Sequence, residues 1–181
     1  RNPNLNFKSG DKLIKSLEER PSKSWLRKAS ECEDEKVLKY ILKDAEKLQI
    51  FNNENELKLL WECCQIPDFV KKTYGNHLEV VGRVFNFLRE SPGKITSKFM
   101  KQQLSLLDKL DGNVDSVSNR IANVRTWSDV ANKNGWVENQ DYWVERTKFL
   151  EDRLSDRLHE ELTKSFIDKR ASVLAKGLKQ D

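Results

Sequence analysis

The sequence predicts an all-α protein, and three observations support this fold class. The 181 residues include only seven Gly and four Pro, too few for the many tight turns of a β-sandwich or barrel. Leu, Lys, Glu and Asp, which are frequent in helical proteins, dominate the composition. Apolar residues recur at three- and four-residue steps over most of the chain. We expect an irregular multi-helix bundle with a long amphipathic helix at its C-terminal end.

The polar, asparagine-rich stretch 1–10 predicts a linker from a preceding domain, and the lack of an initial methionine suggests a fragment of a longer protein. Asp11 is placed to cap a short first helix that ends before Pro21. We assign 11–181 to a helical accessory domain. Ser91-Pro92-Gly93 breaks the helical pattern, so two packed subdomains can divide near that point.

Six longer helices are predicted after the first one. Each has apolar residues at helical spacing, and turn residues or a proline separate one helix from the next. Their predicted ranges are Glu33–Leu48, Glu56–Gln65, His77–Glu90, Thr96–Leu110, Val114–Ala131 and Tyr142–Leu178. In the last helix four leucines lie four residues apart, which we interpret as part of a long amphipathic helix that forms the backbone of the domain. These leucines are Leu150, Leu154, Leu158 and Leu162.

The cysteines indicate a reducing compartment. Cys32, Cys63 and Cys64 are odd in number, and the vicinal pair cannot easily form a disulfide with itself, so buried thiols are the expected state. Paired ligand spacings for structural zinc are missing. No run of about 18 apolar residues occurs, so we expect a cytoplasmic protein with no membrane partner.

Motifs for catalysis and metal binding fail on inspection. In the stretch around Gly112 an EF-hand register would place Leu107 first and Ser118 twelfth, where the loop needs carboxylates, so an interhelical turn is predicted. His159 begins a zincin-like box, but Thr163 stands where the second histidine must fall. Phosphate-binding glycine loops and nucleophile elbows are missing from the sequence. We expect no cofactor in this segment and no nucleotide hydrolysis by it alone.

Tryptophans and basic residues are mixed in the second half of the chain. Of five tryptophans, Trp127, Trp136 and Trp143 lie close together with arginines and lysines between them. Such mixing can stack bases and neutralise phosphates, although a tryptophan more often seals a helical core. The net charge of +4 permits nucleic-acid binding without requiring it.

Four ordered blocks resemble one protein family. They are Arg1-Asn2-Pro3-Asn4-Leu5-Asn6-Phe7, Leu60 to Phe69 (LWECCQIPDF), Leu110 to Asp115 (LDGNVD) leading to Arg125-Thr126-Trp127, and Trp143 to Thr147 (WVERT) leading to Glu151 to Glu160 (EDRLSDRLHE). In these blocks the chain resembles the segment that follows the second motor domain in DExH-box helicases related to the mitochondrial degradosome RNA helicase, particularly their bacterial members.

The resemblance implies an accessory region of an ATP-dependent helicase that unwinds RNA or DNA–RNA duplexes. ATP and magnesium would be bound by motor domains outside this chain. The implied partners are those motor domains, a single strand of RNA or DNA, and possible nuclease partners. The residues expected to contact the strand are Arg120, Arg125, Trp127, Lys133, Arg157, Lys164 and Arg170.

Three positions depart from the family pattern. Asp129 stands where an aromatic residue is usual, and Glu161 and Ser165 stand where arginines are common. Together these changes remove positive charge and one aromatic ring, and they weaken the expectation that the long helix itself binds nucleic acid. The alternative is a protein-interaction scaffold that docks a nuclease or ribosomal partner through an apolar helical face and touches no nucleic acid.

Overall fold

The computed structural model describes residues 4–20, 25, 30–48, 53–70 and 74–179, without the side chains of 45–48 and 74. Residues 1–3 of the predicted linker therefore lie outside the described residues. The all-α prediction is confirmed: the described residues form seven helices and no strand, apart from an isolated parallel bridge between Ile95 and Val137. The helices are α1 Gly10–Glu18, α2 Glu33–Leu48, α3 Glu54–Cys64, α4 Tyr74–Arg89, α5 Ser97–Leu107, α6 Val114–Asn132 and α7 Gln140–Leu178.

The chain divides into two compact units. Unit 1 comprises Arg1–Pro67 and Thr73–Lys94 and contains α1 to α4. Unit 2 comprises Asp68–Lys72 and Ile95–Asp181 and contains α5 to α7. Each unit has its own buried apolar residues, as expected for a compact helical unit.

Side-chain caps fix where several helices begin. The Ser9 hydroxyl accepts a hydrogen bond from the Lys12 amide, so Ser9 caps α1 and the prediction that Asp11 does so is wrong. Asp11 lies inside the first turn, where its negative charge favours the positive end of the helix dipole. Asn53 caps α3 in the same way, with 2.7 Å between its Oδ1 and the Glu56 amide nitrogen. Helix α3 consequently begins two residues before the predicted start.

Residues 4–9 contact the rest of unit 1. The Asn6 amide donates a hydrogen bond to the Ser16 hydroxyl of α1 at 3.1 Å, and the ammonium of Lys58 lies 5.7 Å from the centre of the Phe7 ring. Leu13 and Leu17 of α1 are buried. The buried apolar residues of the other unit 1 helices are Val37, Leu38, Leu42, Leu57, Leu60, Trp61, Val81, Val84 and Phe85.

Burial determines the state of the unit 1 thiols. Cys63 and Cys64 on α3 are buried, whereas Cys32 is exposed, so the prediction of buried thiols is confirmed for the first two and wrong for the third. Desolvation, with a smaller effect from the Glu62 carboxylate, raises the pKa of Cys63 to about 12. Desolvation also raises the pKa of Cys64. Both thiols are therefore protonated in the folded chain at neutral pH.

We expect one rapidly reacting thiol per folded chain with dithionitrobenzoate at about pH 8, and three after unfolding, because the accessible thiolate is the reactive species. Cys32→Ser should abolish the rapid reaction. Folding favours the protonated form of Cys63, so its contribution to stability is complete below the ordinary pKa of 9.0 and is lost as the pH rises toward about 12. Rapid modification of two thiols in the folded chain would contradict this account.

Unit 2 is organised around the pairing of α6 with α7. Trp127 of α6 packs edge-on against Phe99 of α5, with ring centres 5.6 Å apart. The α7 residues that are buried include Trp143, Leu150 and Leu154. The other buried apolar residues of unit 2 are Ile95, Met100, Leu104, Val117, Ile121, Val124, Val130, Ala131, Trp136 and Val137.

The first turn of α7 is attached to the start of α5. The Ser97 hydroxyl accepts hydrogen bonds from the Asn139 side-chain amide at 2.9 Å and from the Trp143 indole at 3.2 Å. The Ser97 amide donates to the Glu138 carboxylate at 3.1 Å. Asn139 adopts the left-handed conformation, with φ of 52°, which asparagine tolerates better than most residues. These contacts fix the position of the residues that begin α7, including Tyr142.

The four leucines at four-residue spacing in α7 do not share one face. Leu150 and Leu154 are fully buried, whereas Leu162 is 49% exposed. With 3.6 residues per turn, each four-residue step advances about 40° around the helix, so leucines at this spacing leave the core-facing side. The four leucines therefore wind around α7 instead of lining one face.

We call residues 162–178 the extension of α7. Every described side chain from 162 to 179 is exposed. Six of them are large and apolar: Leu162, Phe166, Ile167, Val173, Leu174 and Leu178. On an ideal helix their common face lies about 170° from the core-facing side of α7. The extension thus presents a second apolar face, about 25 Å long at a rise of 1.5 Å per residue.

Candidate nucleic-acid interface

Two of the predicted strand contacts bind the chain itself. The Arg120 guanidinium donates hydrogen bonds to the carbonyl oxygens of Lys109, at 2.7 Å, and of Asp111. The Arg157 guanidinium donates to the Leu110 carbonyl at 3.0 Å and forms an ion pair with Glu161 at 2.5 Å. The segment 108–113 joins α5 to α6, and Arg120 and Arg157 therefore hold its residues 109–111 against α6 and α7. This segment is the turn predicted around Gly112.

Asp108 extends the same cluster. Its two carboxylate oxygens accept from Arg146 and Arg153 of α7, each at 3.0 Å. All three side chains are between 28% and 39% exposed, so solvent weakens these ion pairs without removing them. The carboxylate thus neutralises part of the positive charge on this side of α7.

Arg125 also has a partner within unit 2. Its Nε atom lies 2.8 Å from the Glu151 carboxylate of α7, and its side chain is 52% exposed. This ion pair links α6 to α7. A phosphate at Arg125 would have to compete with Glu151.

Most of the tryptophans are buried core residues. Trp127, one of the predicted strand contacts, is 4% exposed, so it presents no ring face for base stacking. Trp61, Trp136 and Trp143 are also buried, whereas Trp25 is 73% exposed. The predicted contact Lys133 has its ammonium 6.0 Å from the centre of the Trp136 ring. The interpretation of tryptophans as core residues is confirmed for four of the five.

The remaining predicted contacts, Lys164 and Arg170, lie on the extension and are exposed. Arg170 has its guanidinium 5.8 Å from the centre of the Phe166 ring. Within the described residues Lys164 makes no ion pair. Between 162 and 179 the chain has five basic residues and one acidic one, Asp168, so this part is strongly positive.

A groove that was not predicted lies between α5 and the first turns of α7. It has a volume of about 400 Å³ and is lined by the cations Lys98, Lys101 and Arg146 and by the ring of Tyr142, which is 56% exposed. Trp143 forms its inner wall. An exposed aromatic ring beside several cations is the arrangement that single-stranded nucleic acid requires.

A row of cations and aromatic rings follows one face of α7 beyond the groove. Phe149 is 51% exposed and lies beneath the guanidinium groups of Arg146, at 5.4 Å, and Arg153, at 5.7 Å. The cations and rings of this row recur at steps of three, four or seven residues, which places them on one side of the helix. We call them the cation–aromatic stripe: Tyr142, Arg146, Phe149, Arg153, Arg157 and Lys164. This spacing was the sequence signal that could have revealed the stripe.

No group of three or more potential metal ligands occurs among the residues that the structure describes. None of the described helices is long and apolar enough to cross a membrane.

Comparison of the chain with protein-family models, with curated proteins and with solved structures finds no match.

Proposed function

We propose that this chain is a non-catalytic accessory region of an ATP-dependent helicase, which packs on the motor domains and guides a single strand of RNA or DNA. ATP and magnesium would be bound by the motor domains, and the complex would act in the cytoplasm. The proposal is supported by the four sequence blocks that resemble the helicase family. The observation that carries it is the cation–aromatic stripe on the exposed side of α7.

The stripe fits a strand because of its chemistry and its length. From Tyr142 to Lys164 it spans about 33 Å at 1.5 Å per residue. Arginine and lysine neutralise phosphates, and the exposed ring of Tyr142 offers a stacking surface that accepts any base, while Phe149 lies beneath the guanidinium groups of Arg146 and Arg153. Arg157 and Arg146 are partly neutralised by carboxylates, so we expect binding of moderate strength.

The extension supports the first part of the proposal, the packing on the motor domains. Six large apolar side chains in 17 residues are more than an isolated surface helix ordinarily exposes, and such patches mark interaction sites. The motor domain of the same polypeptide is the partner that the family resemblance supplies. Cations on the other side of the extension, Lys164, Lys169 and Lys176, would then remain available to the strand.

A charge-reversal variant tests strand binding by the extension. We expect Lys164→Glu/Lys169→Glu to weaken binding of a labelled single-stranded RNA by roughly tenfold at low salt, and to reduce the slope of log Kd against log salt by about 1.4 for two lost contacts. Both side chains are exposed and glutamate is a good helix former, so the fold should persist. Fluorescence anisotropy across a salt series measures both quantities.

The matched control is Lys12→Glu/Lys15→Glu, which changes the net charge equally on α1 of unit 1, where both lysines are exposed. We expect its affinity to stay within about twofold of the wild type. Equal weakening by both variants would indicate a general charge effect and contradict a strand path along α7.

The scaffold alternative rests on the same apolar face of the extension and on the near balance of charge in the whole chain. In this case the extension docks a nuclease or ribosomal partner, and nucleic acid plays no part. Pull-downs with and without nuclease treatment separate the two functions. A partner that survives nuclease treatment and is lost from Phe166→Ser/Leu174→Ser would favour the scaffold.

A further inference from the structure

We propose that the groove between α5 and α7 is a stacking site for one nucleobase, in which the base lies on the Tyr142 ring and its phosphate binds Lys98 and Lys101. This inference rests on the proposed function and assigns part of the strand path to a defined place. None of these three residues is among the strand contacts predicted from the sequence.

The position of Tyr142 is fixed by its neighbours. Its ring packs edge-on against Trp143, with ring centres 4.8 Å apart and an angle of 81° between the planes. Trp143 is itself held by the Ser97 hydroxyl, which also binds Asn139. Tyr142 is therefore an exposed ring on a rigid support, so little conformational entropy is lost when a base stacks on it.

The charges of the groove favour an anionic ligand. Lys98 and Lys101 are exposed and, among the described residues, form no ion pair. Arg146 adds a third cation, while Asp108 is the only carboxylate among the lining residues found for this groove. A ligand with a flat aromatic part and a phosphate matches this lining, and a nucleotide has both.

A single strand fits better than a duplex. Stacking on a protein ring requires an exposed base face, and the bases of a duplex have theirs covered by neighbouring base pairs. A free mononucleotide has the same two chemical parts as one residue of a strand. We expect a strand to bind more tightly than a free mononucleotide, because only a strand can continue along Phe149 and Arg153.

The Asp108 carboxylate weakens phosphate binding at this site. Its carboxylate binds both Arg146 and Arg153 at 3.0 Å, so these two cations are shared between the carboxylate and any phosphate. Removing the carboxylate charge should make both guanidinium groups available. A substitution at Asp108 is therefore expected to strengthen binding. A variant that only disturbs the fold would weaken it.

The test measures binding of a labelled single-stranded oligouridylate, and of uridine monophosphate as competitor, to variants of the full chain. We expect Tyr142→Leu to weaken oligouridylate binding by about tenfold and Tyr142→Trp to strengthen it severalfold, because stacking grows with ring area. Asp108→Asn should tighten binding and steepen the salt dependence by about 0.7 for each new phosphate contact. Uridine monophosphate should compete only at far higher concentration.

The control is Tyr40→Leu. Tyr40 is 53% exposed on α2 and also lies among lysines, but Lys39 beside it is bound by Glu18 and Glu31. We expect no change in affinity from this variant. If the wild type binds oligouridylate and Tyr142→Leu binds equally well, the stacking site is wrong and the proposed function stands. If the wild type does not bind at low salt, strand guidance by this chain and the stacking site both fail.

Discussion

Replacing Leu154 with alanine is expected to lower the free energy of unfolding by about 2–5 kcal/mol, because the side chain is fully buried in unit 2 and its loss leaves a cavity. Leu174→Ala, on the same helix, should cost less than about 0.5 kcal/mol, since Leu174 is 67% exposed. The two substitutions delete the same atoms from α7. The difference between their losses in free energy of unfolding therefore compares how tightly the first half of α7 and the extension are packed.

Urea unfolding followed by tryptophan fluorescence measures both variants, because Trp127, Trp136 and Trp143 all belong to unit 2. Circular dichroism on the same samples follows the helices of both units and shows whether unit 1 unfolds in a separate transition. Equal losses for Leu154→Ala and Leu174→Ala would mean that the extension is packed as firmly as the first half of α7, contrary to the structure described above.

Trp127→Ala is expected to destabilise the chain by about 3–5 kcal/mol, because it removes a large buried side chain and the edge-on contact with Phe99. The sequence had suggested Trp127 as a strand contact. If the ring only packs in the core, affinity for single-stranded RNA should stay within about twofold at a temperature where the variant is still folded. Unfolding curves and anisotropy supply the two measurements.

Trp127→Phe is the matched variant for this test. It retains an aromatic ring next to Phe99, so we expect a smaller loss of stability than for alanine. A folded Trp127→Ala variant that loses strand affinity while Trp127→Phe keeps it would show that the ring contacts nucleic acid after all.

The helices were predictable because their signals are local. The range Glu33–Leu48 was predicted as the structure has it, since its apolar repeat has turn residues on both sides. The starts of α3 and α7 each lie two residues before their predicted positions: the Asn53 side chain caps α3, whereas Asn139, which precedes α7, is left-handed and bonds to Ser97. Such details depend on one or two residues and escape a search for periodicity.

The roles of the arginines could not be predicted in the same way. Arg120 and Arg157 bind carbonyl oxygens of the segment 108–113, and these contacts depend on how α6 and α7 are arranged in space. From sequence, an arginine that binds a phosphate and one that binds a carbonyl look alike. Tyr142 and Lys98 were missed for a similar reason, because the groove forms only when α5 meets the first turn of α7.

The apolar extension was partly visible in the sequence. Phe166, Ile167 and Leu174 are apolar positions within the predicted long helix, but the sequence pattern did not show that they would be exposed. Each four-residue step advances about 40° around the helix, so the apolar residues of the extension lie on the side opposite the core. The relation to DExH-box helicases remains a proposal, with the resemblance of four blocks as its support.

The most direct test of strand guidance is the binding of single-stranded RNA to the wild-type chain by fluorescence anisotropy between low and moderate salt. We expect measurable binding at low salt, with a slope of log Kd against log salt of about 2–3, corresponding to three or four phosphate contacts along the cation–aromatic stripe. Single-stranded binding should exceed binding to a duplex of the same length, because stacking needs exposed bases. No binding at low salt, or a preference for the duplex, would contradict the account.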